Sequence, residues 1–484
     1  MKILLVASEA APFAKTGGLA DVAGSLPLAL RALGHDVRLI LPWYQGVAAA
    51  HGATAKLGPT VTVTSGIRHH SVTLRQLQHQ GLTVYFVDCP ELFDRPGLYG
   101  DTAGDYPDNP ERFGVFCRAV LQALEQLDFV PAVIHVNDWQ SALIPVLLRT
   151  ERRDDPLFAA IATVMTIHNL GYQGLFSQDI LTTLGLSPAL YGVEGLEYFG
   201  HVSLLKGGIV FADLVTTVSP TYCREIQTPG LGHGFDGLLR RRAADLHGVL
   251  NGLDPAQWNP AQAGSIPFPY SSTDLRPKGL NKRALQRELG LDVRPEQALV
   301  ALVTRIDPQK GLDLVAEAAA ELMTRPLQLV LLGSGERGLS ESLAELGRRH
   351  PGRISVNLHF DEGLARRIYA ASDLFLMPSR YEPCGLGQLI ALRYGAVPVV
   401  RRTGGLADTV IDPRDAPRLA NGFHFGPATP EALVEALDRA LAAREKRRSW
   451  LELVRRGMNQ DFSWDRSARR YLELYRLAME NARV

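Results

Sequence analysis

A chain of 484 residues is too long to close a single hydrophobic core and implies two or three domains. Its 51 basic and 51 acidic side chains cancel, which removes any global electrostatic case for nucleic acid or an anionic membrane as partner. Cys89, Cys117, Cys223 and Cys384 lie far apart without a C-x-x-C pair, so neither a disulfide framework nor a structural zinc site is expected.

In chain order, MKILLVASEAAPF has one lysine and an apolar run of strand length closed by Glu9, and reads as a first strand rather than a signal peptide. No window approaches the ~20 apolar residues of a membrane span, so a cytoplasmic protein is expected. Lys2 to Ala7 as strand, Ala20 to Leu33 as helix closed by Gly34, and Val37 to Leu41 as strand make a βαβ unit. Between them, Lys15-Thr16-Gly17-Gly18 reads either as a phosphate cradle, its glycines admitting an oxyanion and Lys15 supplying charge, or as a tight turn. Residues Val61 to Val87 alternate like a β excursion, and Leu98 to Asn109 lacks any period and reads as a mobile surface loop. Strand Ala132 to Val136 ends in Asn137-Asp138-Trp139 and strand Ala162 to Ile167 ends in His168-Asn169. Polar residues at a carboxyl end lie where open parallel sheets bind ligands.

Asn251 to Pro260 is rich in turn formers and reads as an interdomain linker. Strands follow at Leu299 to Thr304, with Arg305 at its end and Lys310 just before helix Leu312 to Leu322, and at Leu327 to Leu332 and Ile354 to Asn357. Leu374 to Met377 leads through Glu382-Pro383-Cys384-Gly385 into a helix ended by Gly395. Glu382 reads as a ligand contact or as a solvated helix-start carboxylate. After strand Val397 to Val400, Thr403 to Asp408 repeats the six letters TGGLAD of Thr16 to Asp21, again before a helix. The amphipathic helix Phe462 to Met479 closes the chain with Trp464, Tyr471 and Tyr475 available for packing.

KTGGLADV, HVNDWQ, TIHNLGYQG, HGVLNGLDPAQWNP, TRIDPQKG, SRYEPCGLGQ and RTGGLADTV, collinear from end to end, resemble bacterial glycogen synthases and the related starch synthases. The resemblance implies an α/β fold of two Rossmann-like domains facing across a deep cleft (GT-B). It divides the chain into residues 1–250, residues 251–461 and a final helix, 462–484, crossing back to the first domain. It further implies a retaining transfer of glucose from ADP-glucose to the non-reducing 4-OH of an α-1,4-glucan.

Breaking a glucosyl–phosphate bond loads charge onto a diphosphate, so fixed positive charge at the leaving group is needed. Arg305 and Lys310 fit that role. By resemblance Glu382 holds sugar hydroxyls, and Lys15 with Gly17 and Gly18 closes on the donor from the other domain. Amides from Cys384, Gly385 and Leu386 add donors, while His168 and Asp138 line the sugar side. Substrate contacts are further expected at Asn169, Asn251, Thr403 and Gly404. Where a neighbouring family carries a second glutamate this chain has Ile390, so no ribose contact is assigned there. There is no Asp-x-Asp at a strand end, and neither a metal nor a cofactor is expected; oligomeric state is not legible.

A sugar-nucleotide epimerase on the same fold and a non-catalytic glucan-binding protein are the rival readings; release of ADP in the presence of glucan separates the first. Three further expectations follow. The domains close about hinges at Asn251 to Pro260 and just before Phe462. Glu382→Ala stays as stable as the parent chain. Cys384, at a helix start, alkylates ahead of the other cysteines.

Overall fold

A computed structural model describes residues 1–102 and 104–482. Two compact units emerge: Met1–Val218 with Cys223–Gly252 and Trp464–Val484, and Leu253–Ser463 with Ser219–Tyr222.

The first unit is built on a nine-stranded sheet. In spatial order its strands are Leu246–Gly248, Leu214–Thr217, Ala162–Ile167, Val133–Asn137, Lys2–Val6, Asp36–Pro42, Leu82–Asp88, Arg68–His79 and Lys56–Ser65. The first seven pair in parallel and the last two antiparallel. From Lys2–Val6 the chain steps to Asp36–Pro42 on one side and only later to Val133–Asn137 on the other, so a topological switch point lies between Lys2–Val6 and Val133–Asn137. The central strands are buried along nearly their whole length because both faces are covered, whereas the alternating Lys56–Ser65 buries one face and wets the other.

Trp464–Asn481 belongs to this unit although it ends the chain. Trp464, Tyr471, Leu474 and Tyr475 are buried, which at about 2 kcal/mol per large side chain ties the helix down firmly. The Tyr475 hydroxyl lies 2.8 Å from Nδ1 of the fully buried His135, whose Nε2 is 2.6 Å from Thr166 Oγ1.

The stretch from Leu98 to Asn109 is not featureless. It forms a small pairing of Gly100–Asp101 with Gly104–Asp105 and is anchored at both ends. The Tyr99 hydroxyl is 2.8 Å from Ser8 Oγ, Asn109 donates to the Tyr99 carbonyl, and the buried Arg112 donates to the Leu98 and Leu92 carbonyls. Polar residues that carry no helical or strand period are here satisfied by a buried guanidinium.

The second unit carries a six-stranded parallel sheet ordered Ile354–Asn357, Leu327–Leu332, Ala298–Val303, Leu374–Met377, Val397–Arg401 and Phe423–Phe425. Its switch point falls between Ala298–Val303 and Leu374–Met377. Ile390 is buried in its core. Among the described residues no helix is long and apolar enough to cross a membrane.

Candidate active site

Each unit gathers charge at the carboxyl ends of the strands that flank its switch point. In the second unit the two loops concerned are those after Ala298–Val303 and Leu374–Met377. Gly311 sits at φ 65°, and a Cβ there would collide with the Pro378 carbonyl, so only glycine lets the start of helix Leu312–Leu322 press against the second loop. The loops are then laced together. Arg380 N donates to Gln309 O at 2.8 Å, Gln309 Nε2 to Tyr381 O at 3.1 Å, and the Arg380 guanidinium grips Asp313. This brings Lys310 Nζ to 2.7 Å from Glu382 Oε2, which also accepts from Ser379 Oγ at 2.9 Å. The pair is well buried, at 13% and 7% side-chain exposure. Glu382 is thus no solvated helix-start carboxylate, and its assumed irrelevance to stability does not hold, because it neutralises a buried lysine.

Arg305 stands half-exposed on the same loop, 3.5 Å from Asp307. Behind Glu382 lies the second TGGLAD. Gly404 has φ 44°, and a Cβ there would strike the Glu382 carbonyl; Gly405 lies equally close to Cys384. Gly405 N donates to Glu382 O at 3.1 Å. Thr403 and Gly404 therefore form the wall that shapes the Glu382 loop. The Cys384 and Gly385 carbonyls are tied back by Gln388 Nε2, both at 3.0 Å, and Leu386 caps the seven-residue helix Gly387–Arg393.

Cys384 itself is only 4% exposed, and Cys89, Cys117 and Cys223 are buried too. The expected rapid alkylation of Cys384 is corrected accordingly: burial of the side chain, not helix position, governs access to this thiol. A native-state thiol titration is expected to detect almost no reactive cysteine until denaturant is added; fast modification of Cys384 in the folded protein would contradict this.

In the first unit the loop carrying Lys15 is organised by Glu9, a residue whose role its sequence context does not announce. Its carboxylate accepts from the Thr16 backbone N–H and, at 2.9 Å, from Thr16 Oγ1. Burial raises the Glu9 pKa, opposed by these bonds and one from the Gly17 backbone. Lys15 is 41% exposed and pairs with Asp21 at 2.6 Å, while a Cβ on Gly18 would meet no protein atom.

Asp138, following Val133–Asn137, adopts φ 54°, in the left-handed region that a non-glycine residue rarely enters. That turn aims its Oδ1 at the backbone N–H of His168, 2.8 Å away, so the ends of two neighbouring strands share one carboxylate. Burial pushes the Asp138 carboxyl up to about 7, against hydrogen bonds from His168 and Asn169. Burial lowers His168 to about 3, so its imidazole is neutral. Asn137 Nδ2 donates to Val6 O, which turns Asn137 Oδ1 toward His168 Nε2 at 2.9 Å. His168 hence carries its proton on Nε2 and offers Nδ1 as an acceptor. Asn251 is 7% exposed, and its buried side-chain oxygen has no hydrogen-bond partner among the described residues.

The structure thus joins Asp138, His168 and Asn169 into one constellation, Lys15, Gly17 and Gly18 into a second built on Glu9, and Lys310, Glu382, Cys384 and Gly404 into a third, with Arg305 on the Lys310 loop.

Comparison with known proteins agrees with this organisation. Residues 2–241 match the starch synthase catalytic domain, and residues 287–456 match glycosyl transferases group 1. The chain is 57% identical to glycogen synthase of Syntrophotalea carbinolica, over 99% of both chains. It is 51% identical to glycogen synthase 2 of Geobacter sulfurreducens over the full length of both. The catalytic domain of starch synthase IV from Arabidopsis thaliana, a structure bound to ADP and acarbose, superposes with a TM-score of 0.91 at 34% identity, covering 99% of each chain. With two Rossmann-like units of the GT-B class, the chain belongs to the glycogen and starch synthase family of retaining glycosyltransferases.

Proposed function

We propose that the protein transfers glucose from ADP-glucose to the non-reducing 4-OH of an α-1,4-glucan, with retention of configuration. The observation that carries this reading is the buried Lys310–Glu382 pair at the switch point of the second unit, a fixed cation and a buried carboxylate on facing loops. Lys310 and Arg305 neutralise the charge that develops on the leaving diphosphate, an interaction strongest in the transition state. Glu382 accepts from sugar hydroxyls, and the amides of Cys384, Gly385 and Leu386 donate to the donor. From the first unit, Lys15 adds a third cation to the diphosphate and Gly17 and Gly18 keep the approach clear. His168 faces the anomeric carbon, its neutral ring accepting a hydrogen bond from a sugar hydroxyl at Nδ1. Asp138 lies toward the acceptor, and Asn169 and Asn251 complete the substrate contacts, the unmet oxygen of Asn251 supporting the latter. The 4-OH attacks from the face that the diphosphate leaves, its proton passing to a phosphate oxygen.

The deciding experiment is a donor panel, ADP-glucose against UDP-glucose, with glycogen as acceptor. ADP release with chain elongation is expected; glycogen-independent turnover, or preference for the uridine donor, overturns the proposal. Lys15→Ala is expected to raise the donor KM and lower kcat/KM by about tenfold or more. Its melting temperature should stay unchanged, because an exposed pair with Asp21 contributes little to stability. Unchanged kcat/KM would reduce the glycine loop to a turn.

A further inference from the structure

Just past the carboxyl end of strand Leu82–Asp88 in the first unit, His70, Cys89 and Glu91 converge. Strand register pairs Thr73 with Asp88, which carries His70 past the end of Leu82–Asp88 to the point where Cys89 and Glu91 open helix Pro90–Phe93. One potential ligand atom from each side chain lies within 4.8 Å of the other two. Cys89 Sγ is 3.7 Å from Glu91 Oε1, and His70 Nδ1 is 2.5 Å from the same oxygen. His70 is 4% exposed and Cys89 fully buried.

The far side of the imidazole is prepared as well. His70 Nε2 lies 3.3 Å from Glu111 Oε1, with no hydrogen bond of good geometry, and Arg68 holds Glu111 at 2.9 Å. Both ring nitrogens thus face carboxylate oxygens. With a cation on the Nδ1 lone pair, Nε2–H points to Glu111, the carboxylate–histidine arrangement that orients metal-bound imidazoles.

We propose that His70 Nδ1, Cys89 Sγ and a Glu91 carboxylate oxygen bind a thiophilic divalent cation of the zinc class, with Glu111 as the positioning residue behind the ring. Metal–ligand bonds of ~2.0 to 2.3 Å at tetrahedral angles place donor atoms roughly 3.3 to 3.8 Å apart. The sulfur–carboxylate spacing already meets this. The Nδ1–carboxylate spacing must open by about 1 Å, which Glu91 can supply because its side chain is 58% exposed. Water on that open side completes the coordination. Cys89 Sγ–H donates to Glu91 Oε1. Metal binding breaks that S–H bond, forms the metal–sulfur bond and releases the thiol proton to buffer. The absence of a C-x-x-C pair did not speak to such a site, because its ligands come from one cysteine and two other residue types joined by strand pairing.

The test is a titration of the metal-free full-length protein with Co2+, and with Zn2+ in competition. A sulfur-to-cobalt charge-transfer band in the near ultraviolet is expected, saturating at one ion per chain, displaced by Zn2+ and retained in Cys117→Ser. The band should vanish in Cys89→Ser. Glu111→Gln should weaken binding about tenfold or more. Glu91→Gln, an exposed change that leaves the fold intact, should do likewise and keeps the test decisive if Cys89→Ser does not fold. No band in the parent chain, a band that survives Cys89→Ser, or unchanged affinity in Glu91→Gln overturns the site.

Discussion

Glu382→Gln and Lys310→Ala are each expected to lower kcat by about 10²- to 10³-fold at saturating donor and glucan, since both remove an interaction directed at the reacting glucosyl diphosphate. Their effects on stability set them apart from an ordinary surface pair. Glu382→Ala strands the Lys310 ammonium, only 13% exposed, with no opposing charge at 2.7 Å, and is expected to cost about 3 kcal/mol. Replacing both, Lys310→Met with Glu382→Leu, removes the stranded charge and should recover most of the melting temperature while leaving turnover at the level of the worse single variant. Recovery of activity in the double variant, or parent-like turnover in either single one, would falsify the catalytic assignment.

Asp138→Asn is expected to raise stability and lower activity together. The folded carboxyl titrates at about 7 because burial disfavours its charge, with Glu9 adding repulsion, whereas in the unfolded chain it titrates near 4. Between those values the folded state holds a proton that the unfolded state has lost. The stability this group leaves the fold is therefore highest below about pH 4 and falls as pH rises to about 7, by on the order of 2 kcal/mol after allowance for partial solvent access. Asparagine carries no charge to desolvate, tolerates the positive φ and can still accept from the His168 N–H. Melting temperatures should thus rise more at pH 8 than at pH 5. Turnover should fall about 10²-fold, and a rise through pH 7 expected of the parent chain, if the charged carboxylate supports the sugar cation, should be absent from the variant. Equal stabilisation at both pH values would show that burial does not hold the carboxyl up.

The central strands were legible because burial on both faces writes itself as short, mainly apolar runs; Ala162–Ile167, Leu327–Leu332 and Leu374–Met377 have the bounds that those runs mark. The strand-end residues Asp138, His168 and Glu382 were legible for a related reason, since a polar residue directly after such a run must lie at the sheet's edge. Glu9 was not, because its work is done through Thr16 and Gly17, with no period to reveal it. Nor could six repeated letters show that the two TGGLAD copies do different things. In the first, the preceding loop hangs on a side chain; in the second, glycines press against the Glu382 and Cys384 backbone. The helix Asn109–Gln126 escaped notice because its first turn buries polar residues, Asn109, Glu111 and Arg112, that read as the continuation of a loop.

The chain passes between its units at Val218, Tyr222, Gly252 and Ser463, and the last passage returns Trp464–Asn481 to the unit that began at Met1. During synthesis this inverts the usual order of events. The second unit has its whole sheet once residues up to Phe425 have left the ribosome, whereas the first must wait with its Tyr471 and Tyr475 seats unfilled, and His135 unbonded to Tyr475, until the final turns emerge. A nascent chain stalled shortly before Trp464 would expose apolar surface on the older half of the polypeptide, making that half, and not the newer one, the natural client for a chaperone.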